Sequence, residues 1–464
     1  MCPFVIRHSR RIHLSGFSID WEVPFVSEPR VLAVQSGQTS SVDLEFPCEF
    51  AFCVHNERLF LSETPDATQD IANALEFDAQ RRETAFGVHD NYAVKDHHRA
   101  ELIGERQVRL FVPFASLPTP GNVFVLTPGH RLCPAMSALD SQSIQLRDVT
   151  VHHCPGMGFI AQRCRDVRLQ NFVVAPSGER MTSASADGAH FVNCAGHIEL
   201  SNCRFENQLD DPVNVHGLYS RISQLLSENE VEVELVHHEQ RGIPIAEVGD
   251  EMGLVRNDTL ATYATARVSH AEWRNRSFSR LRFEDPLPPD LQIGHVLENH
   301  EWRPDVTISG CLSRGNRARG FLLSSAGRVL IEDNTFHTPD AAILIAGDAN
   351  YWFESGAVRD VTIRNNVFDS CLYGVWGKAV IDICPEIGSQ HGDSGYHRGI
   401  TIENNRFLVL DDRLLAVRGV AGLCWRDNTI EPSTDTAYRG VLSQRDEAPP
   451  EVFCDIEDCR DVFL

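Results

Sequence analysis

An eight-residue unit recurs along the chain and constrains its fold more than any other feature of the sequence. Apolar residues occupy its first and third positions, and Asn, Asp or Gly commonly follow at a bend. We place a frayed tenth unit at Cys454, after nine clearer units that start at Ile12, Ile144, Val167, Ile198, Val306, Val329, Val361, Ile400 and Leu423. The shortest interval between starts, 23 residues, suits one coil of a parallel β-helix and is too short for a helical solenoid. We therefore predict an all-β solenoid in which these apolar residues stack inward.

Pairs of short polar residues recur at one turn of the late coils, at 333–334, 365–366, 404–405 and 427–428. Asn and Asp tolerate left-handed backbone, and their side chains can form hydrogen bonds along a stack. Because the pairs recur in every late coil, we interpret them as a structural ladder and not as catalytic groups.

Two intervals between units are too long to be loops, and their alternating apolar stretches predict small antiparallel β modules. The predicted fold is thus a parallel β-helix with two inserted β-barrel-like modules. Within the first module, the pattern of residues 66–87 predicts a helix. The expected organisation is a first coil at 1–27, a module at 28–140, coils at 141–219, a second module at 220–300 and C-terminal coils at 301–464.

Composition excludes several partners. Asp and Glu outnumber Lys and Arg by 65 to 42, a net charge of −23 that disfavours nucleic acid and anionic membranes. No apolar stretch is long enough for a membrane span, and the first residues lack the apolar segment of a secretory signal. The fourteen cysteines show no zinc spacing, and their disulfide state is left open, as is the oligomeric state.

Three carboxylates carry the strongest chemical signal. Once the extra loop between two units is removed, Asp187 and the Asp210-Asp211 pair lie at matching positions of neighbouring coils, about 4.8 Å apart. Strand alternation aligns Asp187 with Asp211 and His190 with Asn214, which leaves Asp210 aimed differently. Like charges this close should raise the pKa of at least one carboxyl and place an acid beside a base, as in glycosidases.

Two other interpretations of the carboxylates remain open. Each could cap a turn, although three in two coils favour chemistry. Carboxylates with Asn214 could also hold calcium, but His190 and His216 are poor calcium ligands and no glycine-spaced acidic loop is present. We therefore expect neither a metal nor another cofactor.

The motifs around these residues resemble glycoside hydrolase family 110, the α-1,3-galactosidases, over most of the chain. They are SADGAHFVNC, FENQLDDPVNVHGLY, RARGFLLSSAGRVLIEDNTF and AILIAGDANYWFESGAVRDVTIRNNVF. The resemblance implies a right-handed parallel β-helix with inserted β-barrels and metal-independent, inverting exo-hydrolysis of terminal α-1,3-linked galactose, including blood-group-B-type glycans. It places the essential aspartates at Asp187, Asp210 and Asp211. It also suggests a secreted or periplasmic protein with further sequence at the N-terminus, so localisation is left open.

Other residues are expected to contact the sugar. His190, Asn214 and His216 share the exposed face with the aspartates, and Arg319 lies level with Asp211 in the coil after the second module. A loop that leaves a nearby coil presents an aromatic pair and an acid for sugar binding: Tyr351, Trp352 and Glu354. Among the aspartates, we expect Asp210 to be the general acid and Asp187 with Asp211 to hold the attacking water.

Two alternative functions remain. A polygalacturonase-like hydrolase or lyase acting on uronates would need a cationic groove, against which the net charge of −23 argues. A non-catalytic glycan-binding solenoid would keep aromatic platforms but would not need the carboxylate cluster.

Overall fold

The structure, a computed structural model, describes residues 2–37, 40–64, 69–114, 116–388, 395–410, 412–435 and 454–464. Their strands stack in ten coils of a parallel β-helix with three faces, called here sheets 1, 2 and 3. In the described part of the chain, no helix is long and apolar enough to cross a membrane.

Each coil contributes a strand to sheet 1 and then to sheet 2, and most coils contribute a third to sheet 3. The strands of sheet 1 are Phe4–Arg7, Met136–Leu139, Phe159–Gln162, Ala189–Val192, the first part of Val213–Ser227, Phe321–Ser324, Ile343–Ile345, Ile381–Ile383, Leu415–Arg418 and Cys454–Glu457. Those of sheet 2 are Arg10–Ile19, Gln142–Val151, Arg165–Gln170, Ala195–Ser201, Asp305–Ser309, Arg328–Glu332, Asp360–Arg364, His397–Glu403, Val420–Arg426 and Arg460–Phe463. Sheet 3 comprises Val173–Val174, Arg204–Glu206, Leu312–Arg314, Thr335–His337, Val367–Asp369, Arg406–Val409 and Thr429–Pro432.

The predicted stack of apolar residues is confirmed on sheet 2. Val167 pairs in parallel with both Ile144 and Ile198, and all three are buried. The tenth unit was misplaced, however, because Val462 is the residue that pairs with Leu423. Cys454 lies on sheet 1 instead and pairs with Leu415. The last coil keeps the alternation on both faces, so the pattern alone did not distinguish them.

The polar pairs form the predicted ladder. Asn334 Nδ2 donates to Asn366 Oδ1 at 3.0 Å, Asn366 donates to Asn405 at 2.9 Å, and Asn405 donates to Asn428 at 2.9 Å. The residue before each of them has positive φ, for example 58° at Asp333. The first residue of each pair therefore turns the chain, and the second connects the coils.

The first inserted module is a seven-stranded antiparallel sheet, after which the chain returns to the solenoid. Its strands are Arg30–Gln35, Ser41–Glu45, Ile71–Asp78, Glu83–Thr84, Arg99–Leu102, Gln107–Phe111 and Val123–Pro128, beside a hairpin of Cys53–His55 and Arg58–Phe60 and a helix at Ala93–His97. The helix predicted at 66–87 is wrong for the residues described from 69 onward. Ile71, Leu75 and Phe77 are instead buried on a strand of the seven-stranded sheet. Packing within the sheet therefore overrides the local helical pattern. Met136–Leu139 already belongs to sheet 1, so the solenoid resumes before residue 140.

The second inserted module is a closed antiparallel barrel. Its strands are the later part of Val213–Ser227, then Glu230–Glu234, Glu251–Val255, Thr262–Trp273, Phe278–Phe283 and Val296–Asn299, with a 3-10 helix at His238–Gln240. The last strand pairs with Val213–Ser227, which also pairs with Glu230–Glu234 and closes the ring. Because Val213–Ser227 is continuous, one strand joins the solenoid face that carries the aspartates directly to the barrel.

Candidate active site

Asp187 and Asp211 precede neighbouring strands of sheet 1 at the same register. Ala189 pairs with Val213 and His190 with Asn214, and the Gly188 N–H donates to Asp211 O at 2.8 Å. Carboxylate oxygens of Asp187, Asp210 and Asp211 all lie within 4.8 Å of one another. All three side chains are buried. The predicted convergence of the carboxylates is therefore observed.

Gly188 permits this close approach of the two coils. A Cβ at position 188 would lie 2.6 Å from the Phe205 ring and 2.6 Å from Pro212 O. A larger residue would thus push apart the two turns that carry the aspartates.

Three arginines from distant parts of the chain surround the carboxylates. Arg131, on the segment that returns from the first module, forms an ion pair with Asp210. Arg317 Nη1 lies 3.5 Å from the other Asp210 oxygen, and Arg319 Nη2 donates to Asp211 Oδ2 at 2.8 Å. The sequence analysis identified Arg319 but missed Arg317, which lies two residues earlier and could have been found by the same alignment. Nothing in the sequence signalled Arg131.

The arginines separate the pKa values of the two adjacent aspartates. Burial, with smaller contributions from the charges of Asp210 and Asp187, raises the pKa of Asp211 to about 8, and Arg319 opposes this rise only in part. Burial would also raise the pKa of Asp210, but Arg131, Arg317 and Arg319 together outweigh it, and this pKa lies below its usual value. At neutral pH these shifts favour a protonated Asp211 beside an ionised Asp210. They disfavour Asp210 as the general acid, the role that the sequence analysis assigned to it.

Asp187 is the first member of a chain of hydrogen bonds through two histidines. His190 Nδ1 lies 2.6 Å from Asp187 Oδ2, and His190 Nε2 lies 3.0 Å from His216 Nε2. Because His216 Nδ1 donates to Gly217 O at 2.8 Å, its Nε2 accepts in the neutral ring, and His190 Nε2 must donate. Asp187 and His190 Nδ1 therefore share one further proton.

The pKa directions agree with this assignment. Burial lowers the pKa of His216, which favours its neutral form. Burial would lower the pKa of His190 too, but the hydrogen bond and charge of Asp187 outweigh it and raise this pKa. Asp187 thus favours the imidazolium form of His190.

The aromatic loop lies next to this chain of hydrogen bonds. Leu218 pairs with Glu354, and Glu354 Oε1 lies 3.6 Å from His216 Nε2. Asp348 accepts hydrogen bonds from the backbone N–H groups of the loop, including that of Tyr351 at 3.0 Å. Tyr351 and Trp352 remain 68% and 48% exposed, so they do not fill the core.

The second module also supports the aromatic loop. The rings of His237 and Trp352 lie 4.9 Å apart, and Gln240 Nε2 donates to Trp352 O at 2.6 Å. Glu239, from the same 3-10 helix, lies 3.7 Å from Arg131. The barrel therefore forms one wall of the site.

Asn214 faces the site with an unused acceptor. It is 5% exposed, and its Oδ1 has no hydrogen-bond partner among the described residues. A buried acceptor without a partner is costly, and a sugar hydroxyl would satisfy it.

The carboxylates do not form a good site for a divalent cation. Three acidic oxygens within 4.8 Å could ligate one. Arg131, Arg317 and Arg319, however, already contact Asp210 and Asp211 and neutralise the charge that would attract it. The arginine contacts therefore argue against a metal-dependent step at these carboxylates.

A cavity lies away from these groups. It offers about 660 Å³ of free space, including open solvent, on the outer face of sheet 2, beside the Arg168–Glu199 ion pair. It has no cluster of carboxylates, so its size does not make it the active site.

Known proteins match both modules and the whole chain. Residues 27–124 match GLAA-B β-barrel domain I, and residues 230–297 match GLAA-B β-barrel domain II. An α-1,3-galactosidase A from Shewanella woodyi is 35% identical over 442 residues, covering 95% of this chain and 72% of that protein. The chain belongs to glycoside hydrolase family 110, the α-1,3-galactosidases. A second member of this family, an α-1,3-galactosidase B from Bacteroides thetaiotaomicron, is 33% identical over 453 residues, with the same coverage of 95% and 72%.

Among solved structures, a mutant tailspike protein of E. coli bacteriophage HK620 in complex with a pentasaccharide aligns with a TM-score of 0.28 at 11% identity, covering 64% of this chain and 39% of the tailspike. The β-helix assignment rests on the strand pairings and not on this likeness.

Proposed function

We propose that this chain is an exo-acting α-1,3-galactosidase that releases terminal α-1,3-linked galactose from glycans, of blood-group-B type or linear. The two relatives described above are both named α-1,3-galactosidases. The observation that carries the proposal is the cluster of three buried aspartates in contact with three arginines, in which the pKa of Asp211 is raised to about 8 and that of Asp210 is lowered. Such a pair supplies an acid and a base to one glycosidic bond at neutral pH.

The acid is Asp211. It gives its proton to the oxygen that leaves with the rest of the glycan while the bond from that oxygen to C1 of galactose breaks. Asp210 and Asp187, both beside positive partners, orient the attacking water and accept its proton as the new C1–OH bond forms. Arg319 stays within hydrogen-bond distance of Asp211 and stabilises the carboxylate that proton transfer leaves behind.

The reaction inverts the anomeric carbon and uses no metal. Inversion rests on the family resemblance, because the aspartate oxygens lie within 4.8 Å of one another, closer than the roughly 6.5–9.5 Å usual for inverting pairs. Metal independence is supported by the three arginines that balance the three aspartates. A chelator should therefore leave activity unchanged.

The remaining polar groups bind the sugar. The unpaired Oδ1 of Asn214 accepts from one hydroxyl, and His190, His216 and Glu354 form the adjoining polar wall. Tyr351 and Trp352 offer exposed rings for the apolar face of galactose or of the next sugar. A uronate-cleaving enzyme is not favoured, because the arginines near the carboxylates are already paired with them.

The decisive experiment is incubation with a terminal α-1,3-galactosyl disaccharide while the product anomers are followed by NMR. We expect β-galactose to appear first and α-1,4- and α-1,6-linked disaccharides to resist cleavage. Initial α-galactose would overturn inversion. Cleavage of the other linkages with the α-1,3 linkage intact would overturn the proposed specificity.

A further inference from the structure

A second polar cleft lies on the same face of the solenoid as the aspartates. Asn214 pairs with Leu322, Leu322 with Leu344, and Leu344 with Asp382. Three inter-strand steps place Asp382 about 14 Å from Asn214 along the solenoid axis. An oligosaccharide bound at the aspartates and extending along this face would reach it.

The cleft contains a buried acceptor atom and a buried donor atom that have no hydrogen-bond partner among the described residues. Asp382 is 7% exposed, and the acceptor is its Oδ1. The donor is Nη2 of Arg418 on the next strand of sheet 1, whose Nε forms ion pairs with Glu457 at 3.8 Å and Asp458 at 3.7 Å. Burial without hydrogen bonds costs free energy, which a ligand that both donates and accepts would recover.

The charges around the cleft disfavour an anionic ligand, because three carboxylates, on Asp382, Asp455 and Glu457, face two cations, Lys378 and Arg418. The cleft offers about 250 Å³ of free space, part of it open solvent, and its narrow interior has room for about one water-sized group. Vicinal hydroxyls of a sugar fit this charge, size and hydrogen bonding, because they are uncharged, small and able to donate to Asp382 while accepting from Arg418.

A buried carboxyl, that of Asp340, couples this cleft electrostatically to the arginines around the aspartates. Asp340 interacts electrostatically with Arg319 on one side and with Asp382 on the other. Burial raises the pKa of Asp382 to about 6, so near neutral pH its carboxylate is available as a hydroxyl acceptor.

We propose that this cleft, named here the acceptor cleft, binds a neutral sugar of the glycan that remains after galactose leaves. The proposal rests on the proposed galactosidase function and adds a distant contact that selects for longer substrates. Because the cleft is about 14 Å from Asn214, it does not touch the galactose itself.

The test compares two substrates in one variant. Asp382→Asn should lower kcat/KM about tenfold for a terminal α-1,3-galactosyl oligosaccharide with several acceptor sugars, through KM and not kcat. For 4-nitrophenyl α-galactoside, which has no acceptor sugar, kcat/KM should stay unchanged. Arg418→Gln should show the same dependence on substrate length. Asp360 is an exposed carboxylate on sheet 2, so Asp360→Asn is the matched control. It should leave kcat/KM unchanged for both substrates.

Equal losses on both substrates, or no loss on either, would overturn the acceptor cleft. Calorimetric binding of the galactose-free oligosaccharide provides a separate readout, with wild-type binding expected and about tenfold weaker binding in Asp382→Asn. If the wild-type protein cleaves no galactoside, the proposed function fails, and the calorimetry alone then decides the cleft. Unaltered binding in Asp382→Asn would reject it.

Discussion

At the scale of single residues, the catalytic proposal depends on where three guanidinium groups lie. Asp210 and Asp211 are adjacent in sequence and both buried, so burial acts on them alike. Arg131 and Arg317 both contact Asp210, whereas among the described arginines Arg319 alone forms an ion pair with Asp211. These contacts favour Asp211 as the residue that keeps the proton.

Replacing each aspartate by asparagine should reveal its role. General acid or base catalysis contributes about 10²–10⁴-fold, so each Asp→Asn variant should lose most activity on the disaccharide. With 4-nitrophenyl α-galactoside, whose leaving group needs little protonation, Asp211→Asn should retain relatively more activity than Asp187→Asn or Asp210→Asn. Steady-state kinetics on both substrates checks this, and greater retention by Asp210→Asn would restore Asp210 as the acid.

The raised pKa of Asp211 also predicts a pH dependence. Activity should fall as pH rises through about 8, where the acid loses its proton. The folded-state pKa lies above the unfolded value, so the contribution of Asp211 to stability is complete below about pH 4 and is lost as pH rises to about 8. Relative to wild type, Asp211→Asn should therefore gain stability over this window. Urea unfolding of both proteins at several pH values measures how their free energies of unfolding change with pH. The same change in both proteins would contradict the raised pKa.

At the scale of elements, the asparagine ladder connects the late coils through buried amides. Asn366 is 1% exposed; it accepts from Asn334 and donates to both Asn405 and Ile331 O. Each coil thus satisfies polar groups of the next one, which an apolar side chain at this turn could not do.

Asn366→Ala should destabilise the solenoid by about 2–4 kcal/mol, because it leaves buried polar groups unpaired on both neighbouring coils. Asn428→Ala is the matched control: it lies at the end of the ladder, is partly exposed and should cost less. Urea denaturation of both variants measures the difference. Equal costs would show that the ladder position is unimportant.

The aromatic loop is an element with exposed rings and an ordered backbone. Trp352→Ala should lower kcat/KM without loss of stability, by an amount that corresponds to about 1–3 kcal/mol of transition-state binding free energy. Glu354→Ala should act in the same direction. Trp273→Ala removes a ring of similar exposure, 50%, from a strand of the second module and should leave kcat/KM unchanged. Normal kinetics for Trp352→Ala and Glu354→Ala would place the loop away from the sugar.

At the scale of the whole molecule, the inserted modules complete the active site. Asp90, from the first module, accepts from Arg317 at 3.0 and 2.9 Å, and Arg317 in turn faces Asp210. The second module contributes Glu239 beside Arg131. Each module therefore orients an arginine that keeps Asp210 ionised.

Asp90→Asn should accordingly reduce kcat by about tenfold, because the loss of its contact with Arg317 changes the electric field at Asp210. It should also shift the acid limb of the pH profile to higher pH, because a less firmly held Arg317 stabilises the Asp210 carboxylate less. Asp70→Asn, which breaks another ion pair of the first module with Arg58, is the control. An unshifted pH profile in Asp90→Asn would mean that Arg317 needs no help from the module.

The sequence by itself determined the β-helix, the ladder and the alignment of Asp187 with Asp211, because register in a solenoid follows from counting residues per coil. The same counting failed at Cys454, where the strands of two faces carry the same alternation. Only the tertiary structure shows which arginines contact each aspartate. Arg131 lies 79 residues from Asp210, at the end of the first module, and Arg319 lies 108 residues from Asp211, after the second module. Electrostatic fields depend on distance in space, and neither periodicity nor local motif encodes that distance between segments so far apart in the chain.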